Sequence, residues 1–472
     1  MMLPTGRRFR PRARRRELGL LAVAAVTLLA GAFSLDATRR LSPVVIAGVE
    51  GTAGGPNVGA ALGVYLAALV AAHFVLVAAG RRTDQILLPT VGLLGGISLL
   101  LMVRLPQGLA GGLGLGTTQL VWLVGSIAII TAVSALARND AWLRRYKYTW
   151  AAFGIGLLLL TFILGREVNG QRLTLAIGPL AGQPSELLKV ILVVFLAGYL
   201  SENRTLLVEQ STRLGPLHLP PLPYLAPMVA MWAIALSIVV IQRDLGAALL
   251  FFAVFLLLLY IATGRASFVV LGLMAFIAAG AVLYEVVPHV RTRVDIWIDP
   301  FASASGAGYQ VVQALHAFGR GGILGTGLGA GLPAVGGLPP GGIPALHTDF
   351  PLAALGEELG LIGVLAILGL YLVVIERGLR IAASAADDFR AILAAGLSLV
   401  IGVQAFIIAA GNLKLIPLTG ITLPFISYGG SSLLTNGLVV GLLIALSDRG
   451  AELPAPSPPA RGLRGLLDRG AA

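Results

Sequence analysis

The stretch GAALLFFAVFLLLLYIAT (residues 246–263) runs for eighteen residues without a charged side chain. A helix of that length crosses most of a ~30 Å hydrocarbon layer, and in lipid a helix satisfies every backbone group within its own segment. Just ahead of it, Gln242-Arg243-Asp244-Leu245-Gly246 breaks the apolar pattern. That break separates it from a second run, 225–241, so the two do not read as one long helix. Working outward, twelve stretches have a suitable length and composition: 18–35, 58–79, 85–103, 118–137, 149–164, 184–200, 225–241, 246–263, 267–287, 353–375, 391–411 and 432–446. The chain therefore reads as an all-α integral membrane protein, a polytopic helical bundle of about twelve transmembrane helices.

Composition agrees. Of 472 residues, 57% are apolar and only 12% are charged, against about 25% charged in soluble domains. The mean hydropathy is +0.89. With no cysteine there is no thiolate catalysis, no disulfide and no Cys-ligated zinc, and the five His (73, 218, 289, 316, 347) lack metal-ligand spacing. Twelve crossings put both termini on one side. Seven Arg (7, 8, 10, 12, 14, 15, 16) precede the first span, and this basic start is read as leading into a retained helix rather than a cleaved signal. On that side the segments hold 23 of the 34 Lys and Arg, the opposite segments hold 10, and Lys189 lies within a span. The bias predicts cytoplasmic termini. It also assigns the net charge of +12 to topology and anionic membrane lipids rather than to nucleic acid.

One connection is long. Residues 288–352 fall on the outer side, and 319–342 contain eleven Gly and three Pro. Upstream, Val312, Leu315 and Phe318 have near-helical spacing, which predicts a helix lying in the membrane interface. The Pro- and Ala-rich tail, 451–472, reads as a disordered cytoplasmic end.

Ionisable groups are costly in hydrocarbon, so each needs a partner or a purpose. Three clusters stand near the outer side. The first is Asn169-Gly170-Gln171-Arg172 followed by GQPSELLK (182–189). Pro184 suits a first helical turn, and Glu186 and Lys189 share a face. They form either a helix-start ion pair or the charged lining of a polar cavity, holding an anionic head group or fixing the helix that does. The second is QRDLG (242–246), either a turn with a local Arg243–Asp244 pair or a site where Arg243 reaches phosphate and Asp244 orients it. The third is His347-Thr348-Asp349-Phe350-Pro351, followed by Glu357 and Glu358. Here Asp349 or Thr348 can cap the helix that Pro351 opens. Alternatively Asp349 is a carboxylate at the lipid–water boundary, able to take a proton from a substrate hydroxyl. His347 shares its face only in an extended segment. Glu357 and Glu358 read as structural. A fourth stretch, 415–432, has Pro, Gly, Ser431 and Ser432 but no acid or base, and reads as a re-entrant cavity wall.

Taken together, NGQR (169–172), GQPSELLK (182–189), QRDLG (242–246), GAGYQVVQALHAFGRGGILGTGLG (306–329), HTDFPLAALGEELGLIG (347–363) and PLTGITLPFISYGGSSLL (417–434) resemble the SEDS (shape, elongation, division and sporulation) family of RodA/FtsW-like peptidoglycan polymerases. The resemblance covers about residues 140–450. It implies a core of ten spans, so 18–35 and 58–79 are two additional N-terminal helices. The chain then divides into a basic N-terminus (1–17), N-terminal transmembrane helices (18–137), a core with its extracytoplasmic loop (138–450) and the tail. The family usually has Pro where Arg243 stands.

By resemblance, Asp349 is the essential acid and Glu186 and Lys189 line the central cavity. The implied substrate is lipid II, an undecaprenyl-pyrophosphate disaccharide-pentapeptide. The implied partner is a class B penicillin-binding protein, and the implied place is the bacterial cell membrane. The expected chemistry is glycosyl transfer in one displacement. Asp349 takes the proton of the acceptor 4-hydroxyl. Arg172, Lys189, Arg243 or a divalent cation such as Mg stabilises the leaving pyrophosphate. Asp244, His347 and Ser431 complete the expected substrate contacts. A lipid II flippase or transporter and a non-catalytic scaffold for a transpeptidase are the rival expectations.

Overall fold

The computed structural model describes residues 12–41, 57–105, 112–168, 171–177, 180–209, 212–214, 217–219, 242–331 and 342–448, with isolated residues between 226 and 240. Helices α1 (Arg15–Leu41), α2 (Val58–Ala79), α3 (Leu87–Arg104) and α4 (Leu115–Leu136) are followed by a short α5 (Ala141–Arg145) and by α6 (Lys147–Leu164). After α7 (Pro184–Glu209) come α8 (Leu245–Thr263), α9 (Ala266–Val286), α10 (Pro288–Ile298), α11 (Tyr309–Gly321), α12 (Pro351–Ala383), α13 (Asp388–Asn412) and α14 (Gly430–Leu446). Among the described residues ten helices are long and apolar enough to span a bilayer, and α14 is a shorter apolar helix. The expected span 225–241 lies mostly outside the described residues, and those that are described there are helical. The chain is thus an all-α, multi-pass membrane protein.

Two strand elements were not legible in the sequence. A three-stranded antiparallel sheet, β1 (Arg166–Val168), β2 (Gln171–Ile177) and β3 (Leu180–Gly182), joins α6 to α7. A hairpin, β4 (Thr212–Leu214) and β5 (Leu217–Leu219), follows α7. β1, β3, β4 and β5 have three residues each, too few for a period of two to stand out, and the seven-residue β2 is flanked by long apolar runs that mask its alternation.

Helices α3, α7, α8 and α13 form the interior, and α9 is peripheral. The two N-terminal helices pack on α3 through a glycine face. Added Cβ atoms at Gly92, Gly95 and Gly96 would stand 3.0, 2.5 and 2.2 Å from Leu69, Tyr65 and Leu28. Without side chains there, the backbones approach closely, as lipid-embedded helices require when dispersion drives their association. At the end opposite the motif clusters, charges close the bundle. The buried Arg14 guanidinium donates to Glu17 (Nε–Oε2 3.0 Å), to Thr83 Oγ1 (2.6 Å) and to the Asp84 carbonyl. Glu17 also meets His73 at 2.7 Å, and Asp84 accepts from Arg377 of α12.

The long connection carries more order than its glycine content predicts. Helix α11 buries Val311, Val312, Ala314, Ala317 and Gly321 and packs on α12. Its buried stripe is therefore centred one residue from the Val312-Leu315-Phe318 line, and faces protein. Next, Gly360 breaks α12 with φ +66°. The broken turn frees carbonyls, and the loop fills them. Thr326 N donates to Glu357 O (2.9 Å), and Gly327 N to Glu358 O (3.0 Å). In return Leu361 N donates to Gly322 O at 2.9 Å. Glu357 pairs with Arg320, and buried Glu358 pairs with Arg104 of α3. Residues 332–341 lie outside the described residues.

Candidate functional site

The motif clusters converge at one end of the bundle around a cavity of about 300 Å³. Glu186, Lys189, Arg243, Asp244, Asp349 and Thr422 all line it, and so does Arg293.

Pro184 opens α7, as its fixed φ favours. One turn on, Lys189 Nζ meets Glu186 Oε2 at 2.6 Å. The same ammonium donates to Gln404 Oε1 of α13 (2.8 Å) and Asn436 Oδ1 of α14 (3.0 Å). An ammonium has three donors, so Lys189 is saturated. This corrects the expectation that it grips phosphate. It ties three helices together beneath the cavity. Gln404 passes the network on to Thr422 O (2.9 Å), and Thr422 Oγ1 lies 2.6 Å from Ser432 Oγ.

In QRDLG, Asp244 caps α8, with Oδ1 accepting from Ala247 N at 3.0 Å. Its second oxygen is buried without a hydrogen-bond partner. Burial raises its pKa, and the neighbouring Glu186 charge adds to the rise. Arg243 has φ +65°, left-handed for a residue with a Cβ, a conformation costing on the order of 1–3 kcal/mol and enriched at functional sites.

Capping does not explain Asp349. The cap of α12 is Phe350, with no side-chain hydrogen bond. Instead the backbone around the acid is held from several sides. Asp349 N donates to Ala345 O (2.9 Å), Asn412 Nδ2 donates to Asp349 O (2.9 Å), and Ser427 Oγ donates to Thr348 O (2.6 Å). Burial raises the Asp349 pKa, offset in part by a hydrogen bond from Thr348 and by the Arg293 charge.

Arg293 on α10 is the residue the sequence reading passed over. Its Nη1 donates to Leu418 O (3.0 Å) and Thr419 O (2.9 Å), locking α10 to the 415–429 wall. Burial lowers its pKa, opposed by the charges of Asp349 and Asp244. The only signal was the local text RTRVD (291–295) in a long loop, which names no partner.

Two expected contacts lie elsewhere. Ser431 Oγ accepts from Gln183 N (3.0 Å) and fixes the turn into α7, outside the cavity lining. His347 packs its ring 5.7 Å from that of Tyr428, and its carbonyl accepts from Tyr428 N, again outside the lining. The backbone of Arg172 lies in β2, and its side chain falls outside the described residues. No group of three or more His, Asp or Glu among the described residues is placed to hold a metal ion. The cavity thus brings the carboxyl groups of Glu186, Asp244 and Asp349 together with the guanidinium groups of Arg243 and Arg293.

Comparison places the chain in a family. The FtsW/RodA/SpoVE family, described as cell cycle protein, matches residues 83–451. The chain belongs to that family. It is similar to the peptidoglycan glycosyltransferase RodA of Mycobacterium tuberculosis, with 40% identity over 403 residues and 84% of each chain covered. It is also similar to the probable peptidoglycan glycosyltransferase FtsW of Nitrosococcus halophilus, with 37% identity over 69% of this chain and 82% of that one. Its fold matches a solved chain described under structural coordination of polymerization and crosslinking by a peptidoglycan synthase complex. That match has a TM-score of 0.63 and 24% identity, and covers 79% of this chain and 99% of the other. The Thermus thermophilus rod shape determining protein RodA matches with a TM-score of 0.56 and 23% identity, over 79% of this chain and 99% of the other.

Proposed function

We propose that the chain is a peptidoglycan glycosyltransferase that polymerises lipid II, in cell elongation or division. The observation that carries this is Asp349 held by its backbone at the rim of a cavity that also contains Arg243 and Arg293. The relatives named as peptidoglycan glycosyltransferases support it.

In this reading the acceptor 4-hydroxyl oxygen attacks the anomeric carbon of the donor sugar. The bond from that carbon to the pyrophosphate oxygen breaks, and the hydroxyl proton passes to Asp349. Undecaprenyl pyrophosphate leaves with the electron pair, beside Arg243 and Arg293. A hydroxyl is a weak acid, so proton transfer accompanies attack, and burial helps by making Asp349 a stronger base than an exposed carboxylate. Displacement at one face converts an α-linked donor into a β-linked strand. A divalent cation such as Mg, if required, would add its charge to those of Arg243 and Arg293 beside the leaving pyrophosphate.

The Lys and Arg bias supports a topology with both termini in the cytoplasm and the cavity at the outer face of the bacterial cell membrane. A class B penicillin-binding protein is the proposed partner, in keeping with the synthase complex to which the fold is similar. The test is polymerisation of lipid II by the purified full-length protein, with and without that partner. Asp349→Asn keeps the shape and removes the base, so activity should fall about 10²–10⁴-fold. Near-normal polymerisation by Asp349→Asn would end the proposal.

A further inference from the structure

A second cavity, of about 190 Å³, adjoins the first and shares Arg293, Asp349 and Gly420 with it. Its remaining polar and aromatic walls are Trp297 of α10, Gln310 of α11 and Lys414 just beyond α13. None of these three lies in a membrane-spanning helix, whereas α7, α8 and α13 build the first cavity. The pair is therefore layered. One cavity sits among the spans, the other lies on the side of the non-spanning helices, and Asp349 is the acid common to both.

The walls of the second cavity have a definite chemistry. Trp297 Nε1 donates to Lys414 O (3.2 Å), and Lys414 Nζ donates to Ile298 O (3.3 Å), which fixes the indole against the end of α13. An indole presents a flat apolar body, suited to the face of a pyranose ring. The Gln310 amide offers a donor and an acceptor, suited to a hydroxyl or an N-acetyl group. Apolar surface with a few convergent polar groups is the usual make-up of a small-molecule site. Joining two sugars also requires both to reach one base, and two cavities meeting at Asp349 meet that requirement.

We propose that this second cavity is a saccharide subsite, taking the N-acetylated sugars of the second glycan substrate while the lipid-linked pyrophosphate of the first occupies the cavity among the spans. The assignment rests on the glycosyltransferase reading for its role, but the binding it asserts can be measured without turnover.

The experiment is equilibrium binding of a lipid-free GlcNAc–MurNAc tetrasaccharide to the full-length protein in detergent. Wild type should bind, and Trp297→Ala and Gln310→Ala should each bind about tenfold more weakly. Trp297→Phe retains a flat ring and should bind nearly as wild type, which separates ring contact from general loss of structure. The subsite is overturned if wild type does not bind, if Trp297→Ala and Gln310→Ala bind like wild type, or if Trp297→Phe binds as weakly as Trp297→Ala. Retained, Trp297-dependent binding in a protein whose Asp349→Asn form still polymerises would sink the catalytic reading and leave the subsite standing.

Discussion

Asp349 owes its position to backbone contacts from Ala345, Asn412 and the neighbouring Thr348–Ser427 bond, none of which uses its carboxyl group. Its environment then sets its strength. Burial raises its pKa, and Arg293 pulls the other way. A base works only when ionised, so the acid limb of polymerisation should lie above the usual carboxylate range. Arg293→Gln removes the opposing charge and should move that limb to still higher pH, with a loss of rate at every pH because a guanidinium beside the pyrophosphate is gone. A pH–rate profile on lipid II checks this, and an unchanged limb would show that Arg293 does not act on Asp349. Lys189 illustrates the opposite case. Its charge is spent inside the protein on Glu186, Gln404 and Asn436. Lys189→Ala would leave those acceptors unpaired and should destabilise the bundle by about 3–5 kcal/mol. Thermal unfolding in detergent would show it, and an unaltered unfolding temperature would contradict the proposed tie between α7, α13 and α14.

At the scale of elements, α12 and the glycine-rich loop exchange hydrogen bonds at the Gly360 break. Gly325 makes this possible. It has φ +82°, and a Cβ there would stand 2.2 Å from the Glu358 carbonyl oxygen. That neighbour is backbone, so it cannot swing aside. Gly325→Ala should cost on the order of 2–4 kcal/mol locally, from left-handed strain and overlap together. Hydrogen exchange in 322–331 should quicken, with α7 and α8 unaffected. Equal protection in variant and wild type would mean the loop does not depend on this contact.

Across the whole molecule, the two N-terminal helices lie outside the family match, which begins at residue 83. The first of them is nonetheless anchored at both ends. Arg14 reaches Thr83 and Asp84 at one, and Thr38 Oγ1 donates to Leu328 O (3.0 Å) at the other, bracing the glycine-rich loop. Lipid can cover the exposed glycine face of α3, so the apolar cost of losing them is modest. A chain lacking residues 1–81 should insert and fold with a lower unfolding temperature and faster exchange in 322–331. An identical exchange pattern would show that α1 does not brace the loop.

Ten of the twelve expected spans stand as helices long and apolar enough to cross a bilayer, and these were legible in the sequence. Partition into lipid depends on about 20 consecutive residues and little else. Glu186, Asp244 and Asp349 were legible as candidates for a related reason, since an ionisable group bordering hydrocarbon is costly without a partner or a purpose. Which of those groups is free to act was decided only by tertiary structure. Lys189 meets its partners across 215 and 247 positions of chain, Arg293 arrives from a separate helix, and Asp349 forgoes the cap it could have made. Such assignments follow from what stands opposite each side chain in space, and no local window of residues encodes that.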